Sequence, residues 1–313
     1  TASRENVQSV AGDMIVEARA TPEAADSVLL DSTENTIVGN GAVIKADAIT
    51  AAAGLVSLGA VPQGTDGLIF SGATLAGLTT ADKLTLKSYS TIDFYGDVAL
   101  DLTGTVALDG AAFVSRGETP GNVSITAGTL ELRNSDAAAT DATGNGGALA
   151  LGAKNIVMGE GKVDFAFDTT TMDAEQRVIF AGLGESRFDG ALTIRAAEIT
   201  GESGAGHVVT AADAAQLRGN GSTAALPAFA SAGALLDFRG TDVLIDAAIR
   251  AGSGTVRATA SEGDVRLASG GKIDVGGADV SFFEVQGVLP GGRSHLTSVN
   301  GERLVEARGP PEG

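Results

Sequence analysis

The feature that most constrains this chain is a Gly-led apolar phrase that returns on a fixed step. GALALGAKNIV starts at Gly147, GALTIRAAEIT at Gly190 and GALLDFRGTDVLI at Gly233, each 43 residues after the last. One step earlier, Gly104 opens GTVALDGAAFV. Shorter versions from Gly128 (GTLELRNS), Gly254 (GTVRATAS) and Gly276 (GGADVSFF) divide the step into near-halves of roughly 19 to 24 residues. A short strand opened by Gly and repeated at that period is the mark of a stacked array.

The side chains agree. Gly is 44 of 313 residues, about twice the usual share of roughly 7 %. Hydrophobic residues are 43 % of the chain but aromatic ones only 4 %, with no Trp, so the core is built from small aliphatic groups. Residues 83–110 alternate Leu84, Leu86, Ile92, Phe94, Val98, Leu100, Val106 and Leu108 with Thr, Lys, Asp and Ala, the period of a strand with one face inside. Apolar runs of strand length bounded by Gly, Asn or Asp, without helices between them, leave a sandwich, a propeller or a parallel β-helix. Primed-turn hairpins are scarce and per-blade aromatics are missing, so the expected fold is an all-β parallel β-helix (solenoid) with about 20–22 residues per coil. About a dozen coils at the ~4.8 Å strand spacing would make a rod on the order of 60 Å long.

Along the chain, residues 1–27 read as an N-terminal edge segment and 28–285 as the repeat shaft. Loops are expected at 134–146, at 168–176 (with one helical turn) and at 207–232, the last with a short helix in AADAAQLRG. Residues 286–313 read as a last strand pair and a polar tail. The start has neither Met nor a charged-then-apolar signal, so the chain reads as an internal piece of something larger.

The net charge of −18 favours solubility and disfavours nucleic acid as a partner. Cys is absent, which excludes disulfides, thiolate metal sites and a thiol nucleophile. No run of 18 apolar residues suggests a membrane helix.

KLTLKSYSTIDFYGD, GTVRATASEGDVRLASGGKIDVGG and the GALAL phrase are similar to the repeat region of filamentous haemagglutinin-like exoproteins of Gram-negative bacteria. The resemblance spans roughly 28–285. It implies a right-handed β-helical rod, exported by two-partner secretion through an outer-membrane transporter and secreted or displayed at the cell surface. It also implies glycan or protein partners on host or cell surfaces, and neighbouring coils of a longer chain. The family's Asn-Pro-containing secretion motif has no match, so what is implied is shaft rather than secretion signal, with no catalytic residues to carry over.

Candidate chemistry is sparse. His207 and His295 each sit in a polar Gly/Ser context with no second His nearby, which reads as solvated loop histidine against a metal or general-base role. Asp93, Asp97, Asp101 and Asp109, and separately Asp237, Asp242 and Asp246 with Arg239 and Arg250, could converge as the carboxylates of a polysaccharide lyase or hydrolase. The bland alternative makes every acid an outward, solvated strand residue. Tyr89, Phe94 and Tyr95 could stack on a sugar, or Phe94 could be core with the tyrosines at an edge. SGGKIDVGGADV from Ser269 has a passing likeness to a glycine-rich Ca²⁺ repeat but lacks its core. No cofactor is expected beyond loosely held Ca²⁺. The resulting expectation is a non-enzymatic, adhesin-like shaft, with a polysaccharide-active enzyme or an end-to-end fibre subunit as the alternatives.

Overall fold

The computed structural model describes residues 14–17, 19–31, 36–39, 42–137, 142–277, 293–298 and 305–308. The expected edge residues 1–13 and most of the tail lie outside them. The described chain is a β-solenoid of about ten turns, nearly all parallel strand. Ten turns make a rod on the order of 50 Å.

Three faces wind in a fixed order. A fifteen-stranded sheet forms two of them. Its first limb, face 1, holds Val98–Asp101, Ala191–Ala196, Ala215–Gly219, Val243–Asp246 and Val265–Leu267. Its second limb, face 2, holds Ser27–Asp31, Ala48–Ala53, Lys83–Ser88, Thr105–Asp109, Glu198–Gly201, Ala248–Arg250 and Lys272–Asp274. Asn122–Arg133, Ala148–Met158 and Thr169–Phe180 run through both limbs as single long strands. Face 3 is an eleven-stranded sheet from Leu68–Phe70 through Val56–Gly59, Thr91–Tyr95 and Ala112–Arg116 to Arg293–Ser298. Only its last pairing, with Val305–Arg308, is antiparallel.

The core follows from this winding. On face 1 Leu100, Ile125, Leu151, Met172, Ile194, Leu217 and Ile245 stack in register, all buried. On face 3 Phe113, Phe165 and Phe188 stack in register, with ring centroids 5.2 Å and then 4.3 Å apart. One coil cannot cover its own inward side chains, so each is buried by the coils above and below.

The Gly that opens each phrase has a steric cause. A Cβ on Gly104 would collide with the Asp82 carbonyl, and one on Gly190 with the Asp168 carbonyl. At these corners the chain passes too close to the neighbouring coil for any side chain. The phrase does not mark one face, however. Gly147 and Gly190 open strands of face 1, two coils apart. Gly104 opens a strand of face 2 and Gly233 stands before one of face 3. The 43-residue step is a true pair of coils only between Gly147 and Gly190.

Four local expectations are corrected. Residues 168–176 are not a loop: Thr169–Phe180 is a twelve-residue strand. Its alternation was hidden because Thr170 and Ala174 face inward, while Thr and Asp face outward. Residues 207–232 are not one interruption either, since Gly206–Ala211 and Ala215–Gly219 are strands, and AADAAQLRG ends in strand rather than helix. Conversely, the apolar runs are expected without helices between them, yet SGATLAGL contains the only described helix, Gly72–Leu78. The Thr74 hydroxyl starts it, accepting from the Ser71 N–H at 3.0 Å and donating to the Ser71 carbonyl at 2.7 Å. Lastly, His295 lies on the strand Arg293–Ser298 rather than in a loop.

Candidate functional site

Among the described residues, one coil leaves out its strand of face 3 and another its strand of face 2, and the chain so freed makes two surface excursions. After Asn122–Arg133 the chain skips face 3 and returns at Ala148, so Ala112–Arg116 pairs directly with Gly161–Ala166. The intervening residues 134–147 form the first excursion (138–141 lie outside the described residues). After Ala215–Gly219 the chain skips face 2 and returns on face 3 at Leu235, so Glu198–Gly201 pairs directly with Ala248–Arg250. Residues 220–234 form the second excursion.

The first excursion lies over face 3. Ala112, Val114 and Ala166 alternate with the inward Phe113 and Phe165, yet all three are buried, and Ala142 packs on them from above. Buried acids hold its ends. At its start, Asp109 accepts from Ser135 N and Ser135 Oγ, both at 2.8 Å, and from Arg133 Nε at 3.0 Å. Lys87 adds an ion pair to Asp136 at 2.8 Å. Burial is the largest single influence on the Lys87 pKa and would lower it, but the hydrogen bond and charge of Asp136, with smaller contributions from Asp109 and Tyr89, together outweigh it and leave it raised. At its end, Asp93 accepts from Thr91 Oγ1 at 2.7 Å and from Arg116 Nε at 2.9 Å, while Arg116 Nη1 donates to the Thr143 carbonyl at 3.1 Å. Asn145 donates through its backbone to Ser115 O at 3.0 Å and through its side chain to Gly117 O. Asp168 closes the excursion by accepting from Gly147 N at 3.0 Å.

The second excursion lies over face 2 and is held differently. Arg177, buried and directed outward, pairs with Glu198 through Nε at 2.7 Å and donates from Nη2 to the Pro227 carbonyl at 2.6 Å. Its guanidinium carbon sits 5.3 Å from the Phe229 ring centroid. Asn220 Nδ2 donates to the Ala174 and Glu175 carbonyls, both at 2.9 Å. At the far end Ala232 N donates to Ser203 Oγ at 3.2 Å, and Gly204 N donates to the Ala232 carbonyl at 2.8 Å.

The expected carboxylate clusters do not form. Asp93 and Asp109 serve opposite ends of the first excursion. Asp101 is exposed on face 1. Asp97 and Asp242 sit at the corner before face 1 and accept from backbone N–H groups of the following coil, Asn122 at 2.8 Å and Asp264 at 3.0 Å. Asp168 holds the same corner from the other side. Asp246 accepts from Gly270 N at 3.0 Å. Asp237, buried on face 3, pairs with Arg239 at 2.7 Å, which raises the arginine's pKa. Arg250 is on face 2, away from that pair. The expectation that every acid is solvated is therefore corrected: Asp93, Asp109, Asp164 and Asp237 are all buried. Burial pushes the Asp164 carboxyl above its ordinary value, against the pull of Lys162 and Arg187. Among the described residues no group of three or more His, Asp or Glu is placed to hold a metal. Of the Ca²⁺-like stretch from Ser269, residues 278–280 lie outside the described residues.

His207 is not a solvated loop residue. It points inward from Gly206–Ala211, its Nε2 lies 3.0 Å from the Ala181 carbonyl, and its ring is 5.2 Å from that of Phe180. The space it fills exists because Gly184 has no side chain; a Cβ there would strike the imidazole. Among the described residues Nδ1 has no partner, and burial holds the imidazole pKa below its ordinary value, against the smaller effect of the Ala181 bond. Phe94 is core, Tyr89 is exposed with Lys87 Nζ 5.4 Å above its ring, and the three aromatics form no common patch.

Sequence reasoning missed Arg177, Arg116, Asn145, Asn220 and the corner role of Asp97, Asp168 and Asp242. For the corners a signal existed: an Asp directly ahead of a face 1 alternation. For Arg177 none did, because its cover comes from about 50 residues further along.

No protein-family model matches the chain, and neither does any curated protein or solved structure.

Proposed function

We propose that this chain is a non-enzymatic, adhesin-like shaft segment of a secreted or surface-displayed bacterial exoprotein, and that its work is to hold its two excursions on a stiff rod for partners to meet. The supporting observation is the way each excursion is made. A coil gives up a strand, the sheet closes behind it, and buried charged groups fix the freed chain to the outside of the neighbouring face. The acids that an enzyme would need to converge are spent instead on backbone N–H groups and arginines between coils. The likeness to filamentous haemagglutinin-like proteins fits this reading and supplies its localisation and its transporter partner.

The test replaces residues 135–146 and, separately, 221–233 with short Gly/Ser turns. Each variant is compared with the parent for thermal stability and for binding to glycan arrays and cultured cells. The reading expects a folded rod that has lost binding. Cleavage of an acidic polysaccharide by the parent chain, with or without Ca²⁺, would turn the assignment to an enzyme.

A further inference from the structure

Each excursion carries an Asn-Gly pair, Asn145-Gly146 at the end of the first and Asn220-Gly221 at the start of the second. Asn-Gly is the sequence at which a backbone nitrogen reaches its neighbour's side-chain amide most easily, because glycine offers no side chain to obstruct the approach. The two pairs differ in what surrounds them. A Cβ on Gly146 would collide with the Asp168 carboxylate, which also holds Gly147 N. Asn145 is further tied through its own backbone N–H to Ser115. Gly221 has a φ of +78° and, among the described residues, nothing within 4 Å of its Cβ position. Asn220 Oδ1 accepts from Ser222 N at 2.9 Å, which folds the side chain back toward the Gly221 peptide.

We propose that Asn220-Gly221 is a self-modification site whose deamidation releases the second excursion from face 2. The Gly221 nitrogen attacks Asn220 Cγ, a carbon–nitrogen bond forms, and ammonia leaves carrying the side-chain nitrogen. Water then opens the succinimide at either carbonyl, giving aspartate or isoaspartate at position 220. Water is the only co-reactant and no electrons are transferred.

The consequence follows from which atoms donate. As an amide, Asn220 Nδ2 gives one hydrogen bond to Ala174 O and one to Glu175 O. A carboxylate has no hydrogen to give and would face both carbonyl oxygens, next to the exposed Glu175. The excursion loses its first side-chain anchor, and its hold falls to Arg177, to the backbone bond from residue 220 N to Ala196 O, and to the Ala232–Gly233 end. Lifting it uncovers the Arg177–Glu198 pair and Thr200, which is buried on the outer side of the same face. The change runs one way, so the surface of face 2 would depend on the age of the molecule.

The test holds the full chain in warm, mildly alkaline buffer and follows it by peptide mapping. The mass change of NH₂ to OH and the isoaspartate fraction are read at each Asn-Gly, and amide hydrogen exchange is followed over 221–232. The expected result is conversion of Asn220 severalfold faster than Asn145, with exchange at 221–232 rising in step. Asn220→Asp should show the fast exchange from the outset, and Asn220→Gln should keep its mass and exchange slowly. Should Asn220→Asp not fold, aged parent protein supplies the same comparison. The proposal is overturned if Asn220 stays unconverted, if Asn145 converts as fast, or if exchange at 221–232 is the same before and after conversion.

Discussion

The two excursions share an origin and differ in how they are fastened. Each is the chain released when one coil omits a strand. The first is held by carboxylates at both ends, Asp109 and Asp93 with their arginines, and it seals an apolar outer patch of Ala112, Val114 and Ala166. The second is held by one arginine, one amide and the Ser203 hydroxyl at its far end, and it covers an ion pair rather than an apolar patch. Hydrogen bonds to buried charges are stronger than those between neutral groups, and apolar burial adds to them without directional demands. The first excursion should therefore behave as part of the rod and the second as a separable strap.

The largest expected effect comes from attacking the apolar seal. Val114→Asp would place an unpaired carboxylate beneath Ala142 and beside Asp93, at a cost of several kcal/mol. The molecule should answer by lifting 142–147, seen as fast hydrogen exchange there with the second excursion unchanged. Equal loosening of both would break the distinction. Next, Asp109→Ala removes three hydrogen bonds from a buried charge and should cost about 2–3 kcal/mol in urea or thermal unfolding.

Arg177→Ala should cost less, about 1–2 kcal/mol, because Glu198 is only partly buried and can regain water once the strap lifts. Its signature is exchange over 221–231 with 142–147 unchanged. Acidification sharpens the contrast further. The fold holds His207 neutral, whereas the unfolded chain takes up a proton near the ordinary histidine value of about 6.5. Stability is thus complete above that value and falls as the pH drops through it. Loosening should start at turn 202–205, to which the strap's end is tied, and His207→Gln should flatten the profile between neutral and mildly acidic pH. The smallest effect belongs to Thr223→Gly on the exposed run of the strap, expected within about 0.5 kcal/mol.

How far the fold could be read in the sequence depends on which physical constraint was local. The Gly-led phrase announced coils because corner glycines and alternating aliphatics are needed wherever a chain turns tightly and pairs with a copy of itself. Thr169–Phe180 escaped notice because an inward Thr looks like an outward one until the neighbouring coil covers it. His207 looked solvated because its pocket is made by the absent side chain of Gly184, in the previous coil. The acids looked like a cluster because sequence proximity stands in for spatial proximity, whereas three-faced winding sends Asp93 and Asp109 to opposite ends of one excursion.

By itself, then, the sequence determined that this chain stacks: small aliphatic residues at strand period, and glycine where a side chain cannot fit. Only the tertiary structure decided which face each phrase occupies, where a coil omits its strand of face 2 or face 3, and which charges end up buried under the chain so released. The division has a physical cause. Alternation and corner chemistry are settled between residues a few positions apart, while face and cover are settled by coils about 20 to 50 residues away, whose registry the local sequence does not encode.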